Sequence, residues 1–220
     1  YFEDVSGLIN HRHNENVFDD FARQPLLPRR LGQLGPGAAW CDLDSDGRED
    51  LLIGSGKGGE LAAFLNKGKG GFVRLNDPPW NLVATRDQTS LLGWPGHDGK
   101  AIVLVGCSTY EDNAVDGHAV MLLRFGESRA EGVVPASDVS VGPMALSDFD
   151  NDGQLELFVG GRCLPGRYPA PPKSQIWRLQ GTKLALDTTN SLVLEKAGMV
   201  SGAIWTDLDN DGWPELVLAC

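Results

Sequence analysis

A nine-residue acidic motif recurs three times along the chain and constrains its fold more than any other feature. Acids occupy positions 1, 3, 5 and 9 of each copy, and glycine occupies position 6. A short apolar stretch precedes each copy and another follows it, so the repeating unit is a strand, an acidic loop and a second strand. The three copies span residues 42–50, 148–156 and 207–215.

A degenerate fourth copy lies in the long gap between the first two. When Gly99 is aligned with Gly47, Trp94, Gly96 and Ile102 replace three of the four acids. Successive copies are then 52, 54 and 59 residues apart. This period matches one four-stranded blade of a β-propeller and not a helical repeat. We expect the degenerate copy to keep the fold and to hold no ion.

Carboxylates at alternate positions of a tight loop call for a cation, because close like charges raise one another's pKa. Calcium takes six to eight oxygen ligands at about 2.3–2.6 Å in a flexible geometry. Glycine at position 6 permits the sharp turn. Magnesium dehydrates reluctantly and zinc prefers His or Cys, so both fit less well. We therefore predict three calcium sites built from the carboxylates of positions 1, 3, 5 and 9. By analogy with other loops of this type, position 7 adds a backbone carbonyl.

This scheme names twelve carboxylate ligands and three carbonyl ligands. The carboxylates belong to Asp42, Asp44, Asp46, Asp50, Asp148, Asp150, Asp152, Glu156, Asp207, Asp209, Asp211 and Glu215, and the carbonyls to Arg48, Gln154 and Trp213. An EF-hand is rejected because it needs flanking helices and a glutamate at position 12, where this chain has Ile53, Val159 or Leu218. Acidic surface turns without metal are the alternative, and the identical spacing in three copies argues against them.

These loops resemble the FG-GAP or VCBS repeat, the blade unit of integrin-α-like β-propellers, whose blades carry Asp-x-Asp-x-Asp-Gly-x-x-Asp calcium loops. Further segments are similar to large extracytoplasmic bacterial proteins related to the cartilage acidic protein family, namely residues 2–8, 18–28, 34–37 and 160–169. The resemblance covers nearly the whole chain and implies a secreted or surface binding module, often part of a longer polypeptide. The integrin-type Phe-Gly-Gly-Ala-Pro cluster is absent, so integrin ligand-binding residues are not carried over.

The predicted fold is all-β, a propeller segment of about four blades within a larger propeller of about seven. The whole chain, 1–220, forms this segment, with blade units at 37–90, 91–141, 142–201 and 202–220, the last of them incomplete. Residues 1–36 supply the outer strand of a preceding blade, at residues 1–5, and a loop. An open edge would associate with another molecule or with the rest of a longer chain. The alternative is a four-bladed ring closed by the amino-terminal strand.

Net charge narrows the range of partners. The 30 Asp and Glu against 19 Lys and Arg give a net charge of -11, which disfavours nucleic acid and anionic membrane surfaces. Twelve of the acids are predicted ligands, and the remaining 18 nearly balance the bases. Three bound divalent ions would bring the net charge to -5. No apolar run approaches the roughly 20 residues that a membrane span needs, so no membrane insertion is expected.

The sequence thus predicts a calcium-binding module for extracellular or cell-surface binding or adhesion, with structural ions and a protein or glycan ligand. We expect an extracytoplasmic location and no enzymatic activity, since no catalytic constellation is found. The alternative is a propeller, catalytic or not, that belongs to a polysaccharide-processing enzyme. Arg162, Arg167 and Tyr168 are candidate ligand-binding residues in a proline-rich insertion. A rigid connecting loop is the other interpretation of that insertion.

For several other side chains a structural role is favoured over a functional one. Trp40 and Trp205 occupy equivalent repeat positions, where core packing is favoured over stacking on a sugar. His11 and His13 lie two residues apart in a polar segment, where histidines are usually solvated and seldom bind metal. The cysteines are too widely spaced for a zinc pattern, and free thiols are favoured over one or two disulfides at Cys41, Cys107, Cys163 and Cys220.

Overall fold

The computed structural model describes residues 3–96, 99–112, 115–180 and 183–220. In these residues the chain is all-β with few helical turns, and it forms four sheets. Within each sheet the strands follow one another in chain order, so each sheet is a simple antiparallel meander. The all-β class expected from the sequence is confirmed.

Three sheets have four strands and the last has two. The first comprises β1 (Ala38–Cys41), β2 (Asp50–Ile53), β3 (Ala62–Asn66) and β4 (Phe72–Arg74). The second comprises β5 (Gln88–Pro95), β6 (Ala101–Cys107), β7 (His118–Arg124) and β8 (Ala130–Pro135). The third comprises β9 (Ser140–Ser147), β10 (Glu156–Cys163), β11 (Gln175–Gln180) and β12 (Lys183–Asp187). The fourth comprises β13 (Gly202–Thr206) and β14 (Glu215–Ala219).

Each acidic loop joins the first two strands of its sheet. The pairing register places position 9 of the motif opposite the last residue of the preceding strand: Cys41 pairs with Asp50, Ser147 with Glu156 and Thr206 with Glu215. The three loops therefore close three hairpins of the same length and register, as the repeated sequence predicts.

The sheets begin at residues 38, 88, 140 and 202, against predicted unit starts of 37, 91, 142 and 202. Two of the observed elements were not predicted from the sequence. They are the strand β8 and the helix α2 (Thr188–Val193). Asp187 caps that helix by accepting the Asn190 N–H, an N-cap preference that is visible in the sequence.

The segment before the first sheet differs from the predicted outer strand. Among its described residues, 3–36, no strand forms; a 3-10 turn occupies Ser6–Leu8 and the short helix α1 occupies Asp20–Arg23. The first two residues of the predicted strand lie outside the described residues. Asp20 is fully buried, and its Oδ1 accepts the N–H groups of Leu31 and Gly32 at 2.7 and 2.8 Å. This carboxylate closes the 20–32 loop.

The chain divides into two compact units. The first comprises Tyr1–Val17, Gln33–Val105 and Met121–Glu131, and its core includes Leu43, Leu52, Leu61, Phe64 and Trp80, each at most 4% exposed.

The second unit comprises Phe18–Gly32, Gly106–Val120 and Gly132–Cys220. It contains one buried cluster around Tyr110 and Cys163 and another around Phe158 and Val200.

All four cysteines are free thiols, as favoured from the sequence. Burial raises the pKa of Cys41 and that of Cys163 to about 12, so these two thiols remain protonated and behave as small core residues. No helix in the described part of the chain is long and apolar enough to cross a membrane.

Candidate metal centres

The first aspartate of each loop fixes the path of the backbone. In all three loops its two carboxylate oxygens accept the N–H groups of positions 5 and 6 at 2.8–3.1 Å. The aspartate at position 5 accepts the N–H of position 7 at 2.8–3.0 Å. These local bonds fold each loop into the same tight turn, because short acidic side chains compete well for nearby backbone donors.

Left-handed backbone at positions 4 and 6 completes the turn. Position 4 is Ser45, Asn151 or Asn210, with φ between 55° and 61°. Position 6 is glycine in every copy, with φ between 82° and 90°. No atom lies within 4 Å of where a side chain would begin at any of these glycines. Glycine is therefore required by the backbone angle and not by crowding.

The acid at position 9 is the first residue of the second strand in each hairpin, and its carboxylate accepts a hydrogen bond from the backbone of the loop. Asp50 Oδ2 accepts the Leu43 N–H at 2.8 Å, Glu156 Oε2 accepts the Phe149 N–H at 3.2 Å, and Glu215 Oε2 accepts the Leu208 N–H at 2.8 Å. Both Asp50 and Glu156 are fully buried.

The structure brings positions 1, 3 and 9 together in every loop. One carboxylate oxygen from each residue lies within 4.8 Å of the other two, in the trios Asp42–Asp44–Asp50, Asp148–Asp150–Glu156 and Asp207–Asp209–Glu215. In the first two loops the position 3 oxygens Asp44 Oδ1 and Asp150 Oδ1 are buried and have no hydrogen-bond partner. Three converging carboxylates with an unpartnered oxygen fit a cation that prefers oxygen ligands.

The remaining predicted ligands are less directly placed. The position 5 acids Asp46, Asp152 and Asp211 are not part of the three trios; one oxygen of each is engaged by the position 7 N–H. The carbonyls of Arg48, Gln154 and Trp213 belong to the same turns and stay predictions. In the degenerate copy Gly99 keeps the positive φ of Gly47, and residues 97 and 98 of that copy lie outside the described residues.

Basic side chains that the motif does not include reach the first two loops. Lys67 Nζ lies 2.8 Å from Asp44 Oδ2. Arg178 Nη1 lies 2.8 Å from Asp150 Oδ2 and 3.2 Å from Glu156 Oε1, and its Nε lies 3.1 Å from Asp187 Oδ2. Among the described residues, no Lys, Arg or His forms an ion pair with an acid of the third loop.

The pKa shifts follow from these contacts. Burial raises the pKa of Asp50 and that of Glu156, because neither carboxylate is solvated. The hydrogen bond from Lys67 lowers the pKa of Asp44, and the hydrogen bond to Asp150 raises the pKa of Arg178. Each of the first two loops thus combines a buried acid that favours protonation with a neighbouring acid whose charge is balanced by a base.

These bases were not predictable from the motif, because their proximity to the loops depends on strand pairing. Arg178 on β11 lies directly opposite Glu156 on β10. The corresponding residue of the first sheet is Leu65, since Leu51 pairs with Phe64, and the base there is Lys67, two residues further on. The sequence signal for such a base is a Lys or Arg near the residue of the third strand that pairs with position 9. The exact position of this Lys or Arg differs between the repeats.

The candidate ligand-binding residues of the insertion are already engaged within the second unit. Arg162 is partly buried, and its Nη1 donates to the Val200 carbonyl at 3.4 Å. Arg167 pairs with Asp138 at the surface. Tyr168 packs against the buried cluster of Leu27, Leu31, Tyr110 and Cys163. These contacts favour a connecting role for Tyr168, and ligand binding by the three residues stays a prediction.

The two tryptophans differ in burial. Trp205 is partly buried and stacks on Phe149 with ring centroids 5.3 Å apart, which agrees with core packing. Trp40 is 57% exposed and only approaches Phe72, at 6.3 Å, so the prediction of core packing is wrong for Trp40. The alternation of the four-residue strand β1 leaves this side chain on the open face.

Comparison with known families supports the repeat identified from the loops. Residues 148–218 match the family model of the FG-GAP-like repeat. The match begins at the second acidic loop, ends just after the third, and includes the whole of β10 to β13. No curated protein matches the chain. The FG-GAP-like repeat is therefore found in the part of the chain that carries two complete acidic loops.

The backbone requirement at position 6 gives a first test. Gly153→Ala should cost about 1–2 kcal/mol of folding free energy, because only the left-handed conformation is penalised and no atom is displaced. Gly7→Ala is the matched control, since that glycine also has open space around it and no positive φ. Urea unfolding of both variants measures the difference. Equal losses would contradict the interpretation.

The contact of Arg178 with the acids of the second loop gives a second test. In excess chelator, Arg178→Gln should destabilise the chain by about 1–3 kcal/mol, because buried Glu156 loses its charged partner while Arg178 is itself partly solvated. The control is Arg167→Gln, which removes an exposed ion pair and should cost less than about 1 kcal/mol. Thermal unfolding compares the two, and a larger loss for Arg167→Gln would refute the assignment.

Proposed function

We propose that this chain is a calcium-binding β-propeller module of an extracytoplasmic protein, with structural ions and a role in binding or adhesion. The observation that carries the proposal is the threefold convergence of the acids at positions 1, 3 and 9. The unpartnered buried oxygens of Asp44 and Asp150 add to it, because a bound cation would satisfy them.

Calcium suits the donor set better than other divalent ions. The converging atoms are carboxylate oxygens only, with neither imidazole nor thiolate among them, which disfavours zinc. The predicted position 5 carboxylates and position 7 carbonyls would add further oxygens, and calcium accepts such a crowded, flexible oxygen shell where magnesium prefers to keep waters.

A bound ion would stabilise the hairpins by neutralising their acids. In the first loop it would be held by Asp42, Asp44 and Asp50, and it would supply positive charge to a carboxylate whose pKa burial raises. Because position 9 begins the second strand, the same ion would tie the loop to the sheet. Folding and ion binding are then thermodynamically linked.

The sheets correspond to the blades of the proposed propeller. Each four-stranded meander has the size of one blade, and the FG-GAP-like repeat at residues 148–218 belongs to a class of blade units. The two-stranded sheet exposes apolar residues whose counterparts are buried elsewhere: Leu208 is 68% exposed, whereas Leu43 at the same motif position is fully buried. Further strands of a larger propeller, of about seven blades, would cover this sheet.

The partner of the module would be a protein or a glycan at the cell surface or outside the cell. Two exposed side chains, Arg167 and Trp40, are candidate contacts for this partner. The alternative, a propeller within a polysaccharide-processing enzyme, is separated from a pure binding module by screening polysaccharides for cleavage as well as binding.

Calorimetric titration with calcium tests the ion sites directly. The wild-type chain should bind three ions, and Asp150→Asn should lose the second site because one converging carboxylate is removed. At ten times the dissociation constant each lost site should cost about 1.4 kcal/mol of stability. Asp138→Asn, which changes an exposed acid outside the loops, is the control. An unchanged melting temperature in excess chelator would contradict a structural role for the ions.

A further inference from the structure

The acid at position 9 is buried alike in the first two loops but is held by different donors. Asp50 and Glu156 are both fully buried, and one oxygen of each accepts a backbone N–H of its own loop. The second oxygen of Asp50 accepts the backbone N–H of Asn66 at 2.7 Å. The second oxygen of Glu156 accepts a hydrogen bond from Nη1 of Arg178 at 3.2 Å. The third strand thus supplies a neutral donor in the first sheet and a charged donor in the third.

The guanidinium of Arg178 also reaches the other acids of the second loop. Its Nη1 lies 2.8 Å from Asp150 Oδ2 and 3.7 Å from Asp152 Oδ2. Asp150 and Glu156 are two of the three acids that converge in this loop. One cationic nitrogen therefore contacts two of the carboxylates that the proposed ion would need. A second cation close to it would be repelled.

Contacts on the other side of the guanidinium hold Arg178 in this position. Its Nε lies 3.1 Å from Asp187 Oδ2, and its guanidinium carbon lies 5.7 Å from the centre of the Phe149 ring. Asp187 is itself fixed at the start of α2, where it accepts the backbone N–H of Asn190 at 3.0 Å and its side-chain N–H at 2.7 Å. Because the planar guanidinium is held from both sides, little further ordering is needed to keep it at the loop.

The base that reaches the converging acids of the first loop is held less firmly. Lys67 Nζ pairs with Asp44 Oδ2 at 2.8 Å, and its side chain is 43% exposed, against 31% for Arg178. The other base of this loop, Arg48, pairs with Asp46, which is not among the three converging acids. A lysine ammonium is a point charge on a flexible stem, so it can turn to solvent when another cation enters.

We propose that Arg178 is a built-in counter-ion of the second loop, which competes with calcium for Asp150 and Glu156 and makes this loop a weaker site than the first. This inference rests on the proposed function, because it requires that the loops bind calcium. Nη1 would give up its contacts with the two converging acids when the ion binds, whereas the contact of Nε with Asp187 can remain. Occupancy of the second loop would then respond to calcium concentrations at which the first loop stays filled.

Calorimetric titration of the whole chain with calcium tests the competition. Arg178→Gln removes the competing charge, so the second site should bind calcium about tenfold more tightly than in the wild type. Arg178→Lys keeps a charge but loses the planar fork, and it should tighten the site by a smaller factor. Lys67→Gln should tighten the first site by less than about threefold, because that base is more exposed. Arg167→Gln, which removes an ion pair outside the loops, is the control.

Two further measurements assign the effect to the second loop. In an Asp150→Asn background, which lacks one of the converging carboxylates, Arg178→Gln should leave the remaining calcium affinities within about twofold of their values. Thermal unfolding gives an independent readout. Added calcium should raise the melting temperature of Arg178→Gln by more than that of the wild type, because tighter binding to the folded chain gives a larger stabilisation.

The outcomes separate this inference from the proposed function. Absence of calcium binding by the wild type and by Arg178→Gln alike would contradict the proposed function. Three bound ions with affinities that Arg178→Gln leaves unchanged would support the proposed function and overturn the competition. Tightening that persists in the Asp150→Asn background would also overturn it. Each variant is folded in calcium, checked by circular dichroism and then titrated with a chelator, and Arg178→Lys serves if Arg178→Gln does not fold.

Discussion

The carboxylate at position 9 is the group on which the hairpins depend. Asp50 is fully buried at the first residue of β2, yet it accepts backbone N–H groups from Leu43, in the loop, and from Asn66, at the end of β3, the latter at 2.7 Å. A single carboxylate therefore connects the loop to two strands. Burial of a charge is costly unless it is compensated, so positive charge close to this acid, such as the proposed ion, would stabilise the hairpin. The converging acids at positions 1 and 3 add to that cost.

How much could be predicted from the sequence follows from how local each feature is. The loops were predictable because their turn is made by bonds between residues two to five apart, such as those from Asp46 and Gly47 to Asp42. The hairpin register followed, since the repeated loop length fixes it. The all-β class and most strands were predictable from apolar stretches of strand length flanked by turn residues.

Features that depend on distant residues were not predictable. Arg178 reaches Glu156 only because β11 pairs with β10 in one particular register. Trp40 has the same repeat position as Trp205, but β1 and β13 leave the two rings in different surroundings. Two residues at the same position of the repeat share a strand position, but their burial differs with the surrounding residues.

The three loops share a backbone and differ in what surrounds their charges. In the second loop Arg178 already neutralises part of the acidic charge, and Asp187 on the far side of the guanidinium keeps it in place. A divalent ion entering there would meet a resident monovalent charge, whereas the third loop offers exposed acids that form no ion pair within the described residues. With the proposed ions bound, the second loop would depend less on its ion for stability than the third loop. Identical motifs would then produce sites whose coupling to folding is unequal, because the strands that pair behind each loop differ in the bases they carry.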